Sequence, residues 1–178
     1  INFLVEHCGS SVVLCTATQP LLNGVNPQKG AARCQAKDEI VPDVQRLFAA
    51  LKRVEVRYCH RAGGWSDDEV ATLAASEIDD TGSCLVIVNT RQAALNLYQV
   101  CVPLLGSGIF HLSTRMCPEH RRKVLAEIRR RLAADRPTLC ISTQLIEAGV
   151  DVDFGTVIRY VAGLDSIAQA AGRCNRNG

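Results

Sequence analysis

Thr138-Leu139-Cys140-Ile141-Ser142-Thr143-Gln144-Leu145-Ile146-Glu147-Ala148-Gly149-Val150-Asp151-Val152-Asp153-Phe154 is the stretch that decides how this sequence folds. A short apolar run ends in two hydroxyls, an acidic residue and a glycine follow, and two aspartates then alternate with apolar side chains. A short apolar run bounded by polar residues reads as a buried strand. In an open parallel sheet, ligands bind at the carboxyl ends of the strands, which is where this polar cluster falls. Hydroxyls and exposed N–H groups can hold a phosphate, and a carboxylate can take a ribose hydroxyl. Periodicity accounts for the valines and Phe154, but not for the polar cluster.

Around this stretch, apolar strands alternate with amphipathic helices, the pattern of a parallel sheet with crossover helices. Strands are expected at 54–59, 84–88, 108–112, 138–142 and 156–161, with an earlier one at 12–14. Helices are expected at 44–51, 66–78, 91–102, 118–134 and from 166 onward, and 145–148 is at most a turn. The helix at 118 has the best defined start, with Pro118 in its first turn and Glu119 near the positive end of the dipole. Val124, Leu125, Ile128 and Leu132 then share one face and should pack on the sheet, leaving Arg122, Arg129 and Arg130 wet. That basic run reads first as a solvated face, with nucleic-acid contact as the alternative. Ser66 is the expected cap of the helix that follows Gly63-Gly64.

The 178 residues are 47% hydrophobic with a formal charge of +2, which excludes a basic tail and leaves any nucleic-acid surface to be local. Nine cysteines, an odd number with no CxxC pair, read as free thiols in a reducing, cytoplasmic setting. Cys84 and Cys140 sit inside apolar runs, where a thiol behaves as a small hydrophobe. The local Cys/His pairs, such as Cys59-His60 and Cys117 with His120, fall short of a zinc site, so no metal site is expected. No signal peptide or long apolar span is visible, so no membrane partner is expected. An element under way at residue 1 and a motif immediately before Gly178 lead to the expectation that the chain is part of a longer protein.

Two further stretches place polar groups after an apolar segment. Cys15-Thr16-Ala17-Thr18 follows the strand expected at 12–14, and its plain reading is a strand ending in threonines. Asp165-Ser166-Ile167-Ala168-Gln169-Ala170-Ala171-Gly172-Arg173-Cys174-Asn175-Arg176 carries two arginines three apart, expected on one helix turn. There they could present two guanidinium forks to one phosphate, while the alanines and Gly172 allow close approach of another backbone. The competing reading is a surface turn with two solvated arginines.

In combination these stretches resemble the motifs of superfamily 2 helicases, in family order. Thr16-Ala17-Thr18 looks like motif III, Asn89-Thr90-Arg91 within 86–98 like motif IV, Thr143 to Asp151 like motif V, and Gln169 to Arg176 like motif VI. The extended forms 16–20, 142–151 and 166–176, together with His111-Leu112-Ser113-Thr114-Arg115, are most similar to the CRISPR-associated helicase-nuclease family of type I systems. Glu147 and Asn175 favour that branch over other superfamily 2 DNA or RNA helicases, and over a non-motor interaction domain that kept the fold.

The resemblance implies a RecA-like parallel sheet with helices on both faces, of the P-loop NTPase superfamily. Residues 1–24 would be the end of a first RecA-like domain, 25–53 a connector, and 54–178 a truncated second domain. It implies ATP-driven translocation on single-stranded DNA recruited by a type I CRISPR surveillance complex. Arg173, Arg176 and Gln169 would be catalytic, Gly149, Asp151 and Gly172 would bind the nucleotide, and Thr16 and Thr18 would couple the domains. Asn89, Thr90, Ser113 and Thr143 would face DNA. The sequence carries no GxxxxGK[ST] loop, since residues 24–30 have the wrong register, and no apolar strand precedes Asp38-Glu39. ATP and Mg2+ would therefore be held mainly by a first domain upstream, and this chain alone should be inactive. The family's nuclease, with its transition metal, would also lie elsewhere.

Overall fold

The run Ser83–Ile87 (β1) is buried at every position. Cys84 and Val86 enter one core, while Leu85 and Ile87 enter a second. A strand with no polar face belongs in the middle of a sheet covered on both sides. β1 pairs in parallel with Thr138–Ser142 (β3) on one side and Thr156–Arg159 (β4) on the other. Ile109–Leu112 (β2) joins in parallel beyond β3, giving the order β2-β3-β1-β4. The α/β architecture expected from the alternating pattern is the one found.

The computed structural model describes residues 1–15, 22–24, 28, 30–32, 38, 40–147 and 150–175. Two units divide the chain, Ile1–Lys52 and Arg53–Gly178. Among its described residues the first holds two short α-helices, Asn2–Glu6 (α1) and Val44–Ala50 (α2), the latter capped by Asp43, whose carboxylate accepts from Arg46 N at 2.9 Å. Residues 12–14 form no strand, a departure from expectation. Val13 is 70% exposed, and nothing in the run pairs with a neighbouring strand.

In the second unit, Asp67–Thr81 (α3) and Arg91–Leu105 (α4) cover one face of the sheet with Val70, Ala74, Ile78, Ala94 and Leu97. Pro118–Leu132 (α5) and Leu164–Ala171 (α6) cover the other, with Ile128 and Ala170 joined by Ile146 and Phe154. Burying Phe154 fully contributes about 1.5–3 kcal/mol. α3 starts as expected: Ser66 Oγ accepts from Glu69 N at 3.3 Å while Glu69 Oε2 accepts from Ser66 N at 2.8 Å, a reciprocal capping box. On α5, Val124, Leu125 and Leu132 pack with buried Ile128, and Arg122 and Arg130 stay exposed, paired with Glu119 and Glu127. Arg129 is not merely solvated, since its Nε donates to Asp151 O at 2.9 Å.

Residues 54–59 are not a strand, against the reading of their alternation. Val56 is 67% and Tyr58 82% exposed, and β4 is the edge of the sheet among the described residues. Alternation can mark a strand only where a neighbour takes its backbone hydrogen bonds. At the start of β4 the backbone comes against the end of α3. A Cβ on Gly155 would lie 2.7 Å from Thr81 O and Thr81 Cβ, so only glycine fits.

Candidate functional site

Because the strands are parallel, their carboxyl ends share one edge, where Asn89 and Thr90 follow β1, Ser113 follows β2, Thr143 follows β3 and Arg159 closes β4. The sheet thus brings the four residues expected to face DNA to one side. Asn89 and Thr90 are exposed, whereas Ser113 and Thr143 are nearly covered at 4% and 5%. Three of the four also serve the fold. Thr90 Oγ1 caps α4 by accepting from Ala93 N at 3.1 Å, and Ser113 Oγ accepts from Arg115 N at 3.2 Å. Each hydroxyl keeps its own proton to donate. Asn89 Nδ2 donates to Val161 O at 2.9 Å, latching the loop after β1 onto the end of β4.

The residue that joins this edge to the rest of the site is Arg159, which the sequence reading did not single out. Its Nη1 donates to Asn89 Oδ1 at 2.6 Å and to Tyr160 O at 2.9 Å. Its Nε lies 2.8 Å from Glu147 Oε1, an ion pair whose N–H is not aligned on the oxygen as in a hydrogen bond. Both side chains are nearly enclosed, at 7% and 6% exposure. Glu147 sits in the turn after the short 3-10 helix Gln144–Ile146, and its carbonyl accepts from Arg173 Nη2 at 2.8 Å. A continuous chain therefore runs Asn89, Arg159, Glu147, Arg173. The signal in the sequence was a lone arginine inside the otherwise uncharged run expected as a strand at 156–161.

Arg173 lies beyond the helix, where the spacing had suggested a helix turn. α6 ends at Ala171, and after Gly172 the chain leaves the helix to form a parallel bridge between Cys174 and Phe154. Phe154 N donates to Arg173 O and Asn175 N to Phe154 O, so the segment is pinned by backbone hydrogen bonds. Asn175, at φ +45, donates through Nδ2 to Arg53 O at 3.0 Å. Arg173 Nε is buried without a hydrogen-bond partner, which leaves a donor unspent. Gln169 is half-buried on α6. At Gly172, φ is −67 and a Cβ would meet Gln169 O at 3.4 Å, so the chain itself has room for a side chain there.

Asp151 and Asn175 line one cavity of about 450 Å³ together with Ser83, Arg129, Asp135 and Gly155. The stretches expected to be motifs V and VI thus meet there. Thr16, Thr18, Gly149 and Arg176 lie outside the described residues. Among those described, no group of three or more His, Cys, Asp or Glu could hold a metal ion, and no helix is long and apolar enough to cross a membrane. Three buried cysteines are poor nucleophiles: burial raises the Cys84 and Cys140 thiols far above their ordinary range and pushes Cys101 up to about 11.

The family model described as CRISPR-associated nuclease/helicase Cas3, C-terminal, matches residues 80–178, which include the whole sheet and the Asn89-to-Arg173 chain. The chain belongs to the Cas3 family. The Cas3 of Methanothermobacter thermautotrophicus is 33% identical over 111 residues, which cover 61% of this chain and 13% of that protein. The Cas3 of Haloferax volcanii is 52% identical over 67 residues, covering 37% of this chain and 7% of that protein. The chain therefore spans only a small part of the curated Cas3 relatives it matches. Among solved structures, T. fusca Cas3 with AMPPNP aligns over 68% of this chain and 15% of its own at a TM-score of 0.55 and 22% identity. That likeness shows the fold, a RecA-like parallel sheet between two layers of helices.

Proposed function

We propose that this chain supplies the second RecA-like half of an ATP-driven translocase that moves along single-stranded DNA during CRISPR interference. The observation that carries this reading is the chain Asn89, Arg159, Glu147, Arg173, which ties the strand-end edge to the arginine segment. A translocase needs such a tie, because DNA grip and nucleotide chemistry must change together.

ATP would supply the phosphoryl group whose transfer drives the motor. Arg173 keeps an unspent buried donor that would face it, whereas the cavity that Asp151 and Asn175 line opens at the amino-terminal edge of the sheet, beside Ser83 and Gly155, and does not include Arg173. Fixed, permanently protonated guanidinium forks meet the charge that develops on a transferring phosphoryl group, and Arg173 and Arg176 would arrive only when two domains close. Gln169 would orient the same side, Asp151 would hold the ribose or anchor Arg176, and Gly172 would leave space for close approach. Asn89 and Thr90, with the hydroxyls of Ser113 and Thr143, would grip the DNA backbone without reading bases. Thr16 and Thr18 would belong to the end of a first domain that holds the phosphates and Mg2+. A nuclease domain with its transition metal would act on DNA delivered by a surveillance complex.

Phosphate release with saturating single-stranded DNA tests the reading. The isolated chain should show none, and the complete two-domain protein should show DNA-stimulated turnover. Turnover that purifies with the isolated chain, or a complete protein indifferent to DNA, would overturn it.

A further inference from the structure

We infer that Arg159 is a positioning residue that couples the DNA-facing loop at Asn89 to the phosphate-facing Arg173, an inference that rests on the motor reading above. The geometry assigns each part of one guanidinium to a different segment. Nη1 holds Asn89 Oδ1 at 2.6 Å, after β1, and Nε faces Glu147 Oε1 at 2.8 Å, after β3. The Glu147 carbonyl in turn holds Arg173 Nη2 at 2.8 Å. No other described side chain bridges Asn89 and Glu147.

Two features make this more than a packed ion pair. First, Asn89 is held at both ends, by Arg159 on its oxygen and by Val161 O on its nitrogen at 2.9 Å, so its loop cannot shift without moving the end of β4. Gln144 Nε2 reaches Asn89 O at 3.5 Å, a weaker second tie to the same turn. Second, the Glu147 contact with Arg173 is made by the backbone. A shift of Glu147 as a whole therefore moves the carbonyl that holds Arg173, and the ion pair with Arg159 fixes where that residue stands. A pull on Asn89 by bound DNA is transmitted through a planar, rigid fork to the residue that aims Arg173.

A lysine at this position keeps the charge that balances Glu147 but cannot span both partners. Three variants of the complete two-domain protein test the inference: Arg159→Lys, Arg159→Gln combined with Glu147→Gln, and Asn89→Ala. The double substitution leaves no buried charge unpaired, so it keeps the test valid if a single substitution fails to fold. Arg159→Lys should lower DNA-stimulated single-turnover hydrolysis on the order of 10- to 100-fold. It should also raise the DNA concentration needed for half-stimulation, with KM for ATP little changed. Combining it with Asn89→Ala should add nothing further, since both break the same link. A lysine variant with wild-type DNA stimulation would overturn the inference and reduce Arg159 to charge balance. So would a double variant that folds and couples normally. A wild-type protein without DNA-stimulated hydrolysis would instead overturn the motor reading, and this inference with it.

Discussion

Arg159 Nε and Glu147 Oε1 stand 2.8 Å apart with 7% and 6% of their side chains exposed, the one closing β4 and the other in the turn after β3. Removing one partner from such a pair leaves an uncompensated charge away from water. Arg159→Met should therefore destabilise the domain by about 3–5 kcal/mol, and Arg159→Met with Glu147→Gln by clearly less. Urea unfolding of the four proteins of the cycle checks this. Equal losses in the single and double variants would mean that the pair is more solvated than its burial implies.

Gly155 is the position where β4 passes closest to α3. With Thr81 atoms at 2.7 Å from any added Cβ, Gly155→Ala must push the strand off the helix. The expected cost is about 1–3 kcal/mol, read as a lowered Tm. The same substitution at Gly172, where the nearest atom is at 3.4 Å, should leave Tm nearly unchanged. If Gly172 serves nucleotide approach, Gly172→Ala should instead raise KM for ATP in the complete protein.

The start of α3 carries a pH dependence. The Ser66 backbone N–H, followed by the Arg61 side chain, holds the Glu69 carboxyl below its ordinary value of 4.5. A lowered folded-state value means that the carboxylate's contribution is fully present above the unfolded value, and is lost as pH falls through the folded one. Wild-type stability should thus drop below about pH 4.5 by an amount that Glu69→Gln abolishes. Ser66→Ala should cost about 1 kcal/mol at neutral pH. Acid and neutral thermal melts of the three proteins measure both effects.

Thiol labelling reports the core directly. Cys8, Cys15, Cys59 and Cys117 are exposed and should react with a disulfide reagent at once. Cys84, Cys101 and Cys140 are buried with raised thiol values, so they should react only after denaturant is added. Immediate labelling of Cys140 would mean that the helical layer of α5 and α6 does not seal its face.

The arginine assignment is the most consequential for activity. Arg176→Lys in the complete protein should reduce single-turnover hydrolysis far more than nucleotide affinity, because lysine keeps the charge but loses the fork. Alanine should cost roughly 10³- to 10⁵-fold where chemistry limits the rate. A lysine variant with normal single-turnover hydrolysis and unwinding would move the role to Arg173.

The strands at 84–88 and 138–142 were legible because a run buried on both faces has no polar alternation to confuse it, and α3 was legible from the Ser66 and Glu69 cap. The run at 54–59 misled because alternation describes one strand's own faces and says nothing of whether a neighbour exists to pair with it. That Asn89, Thr90, Ser113 and Thr143 share one edge was legible because each follows an apolar run and parallel strands bring those ends together. Arg159 escaped because a single arginine within the run expected at 156–161 looks like a residue on a solvent-facing side of the strand. Its burial depends on Glu147 and Asn89 arriving from elsewhere in the chain. The departure of Arg173 from the helix was hidden for the same reason, since the bridge to Phe154 is a long-range pairing.

The strand order also has a consequence for synthesis. β1 emerges from the ribosome before both of its neighbours, because Ser83 pairs with Thr138 and Cys84 with Thr156. Until β4 has been made, the most apolar strand of the unit has one open edge, and until β3 has been made it has two. Long-range parallel pairing is slow to form and prone to wrong partners in the interval. A nascent chain stopped before Arg159 should therefore cling to chaperones or aggregate, and the same polypeptide released after α6 should become protease-resistant as one unit.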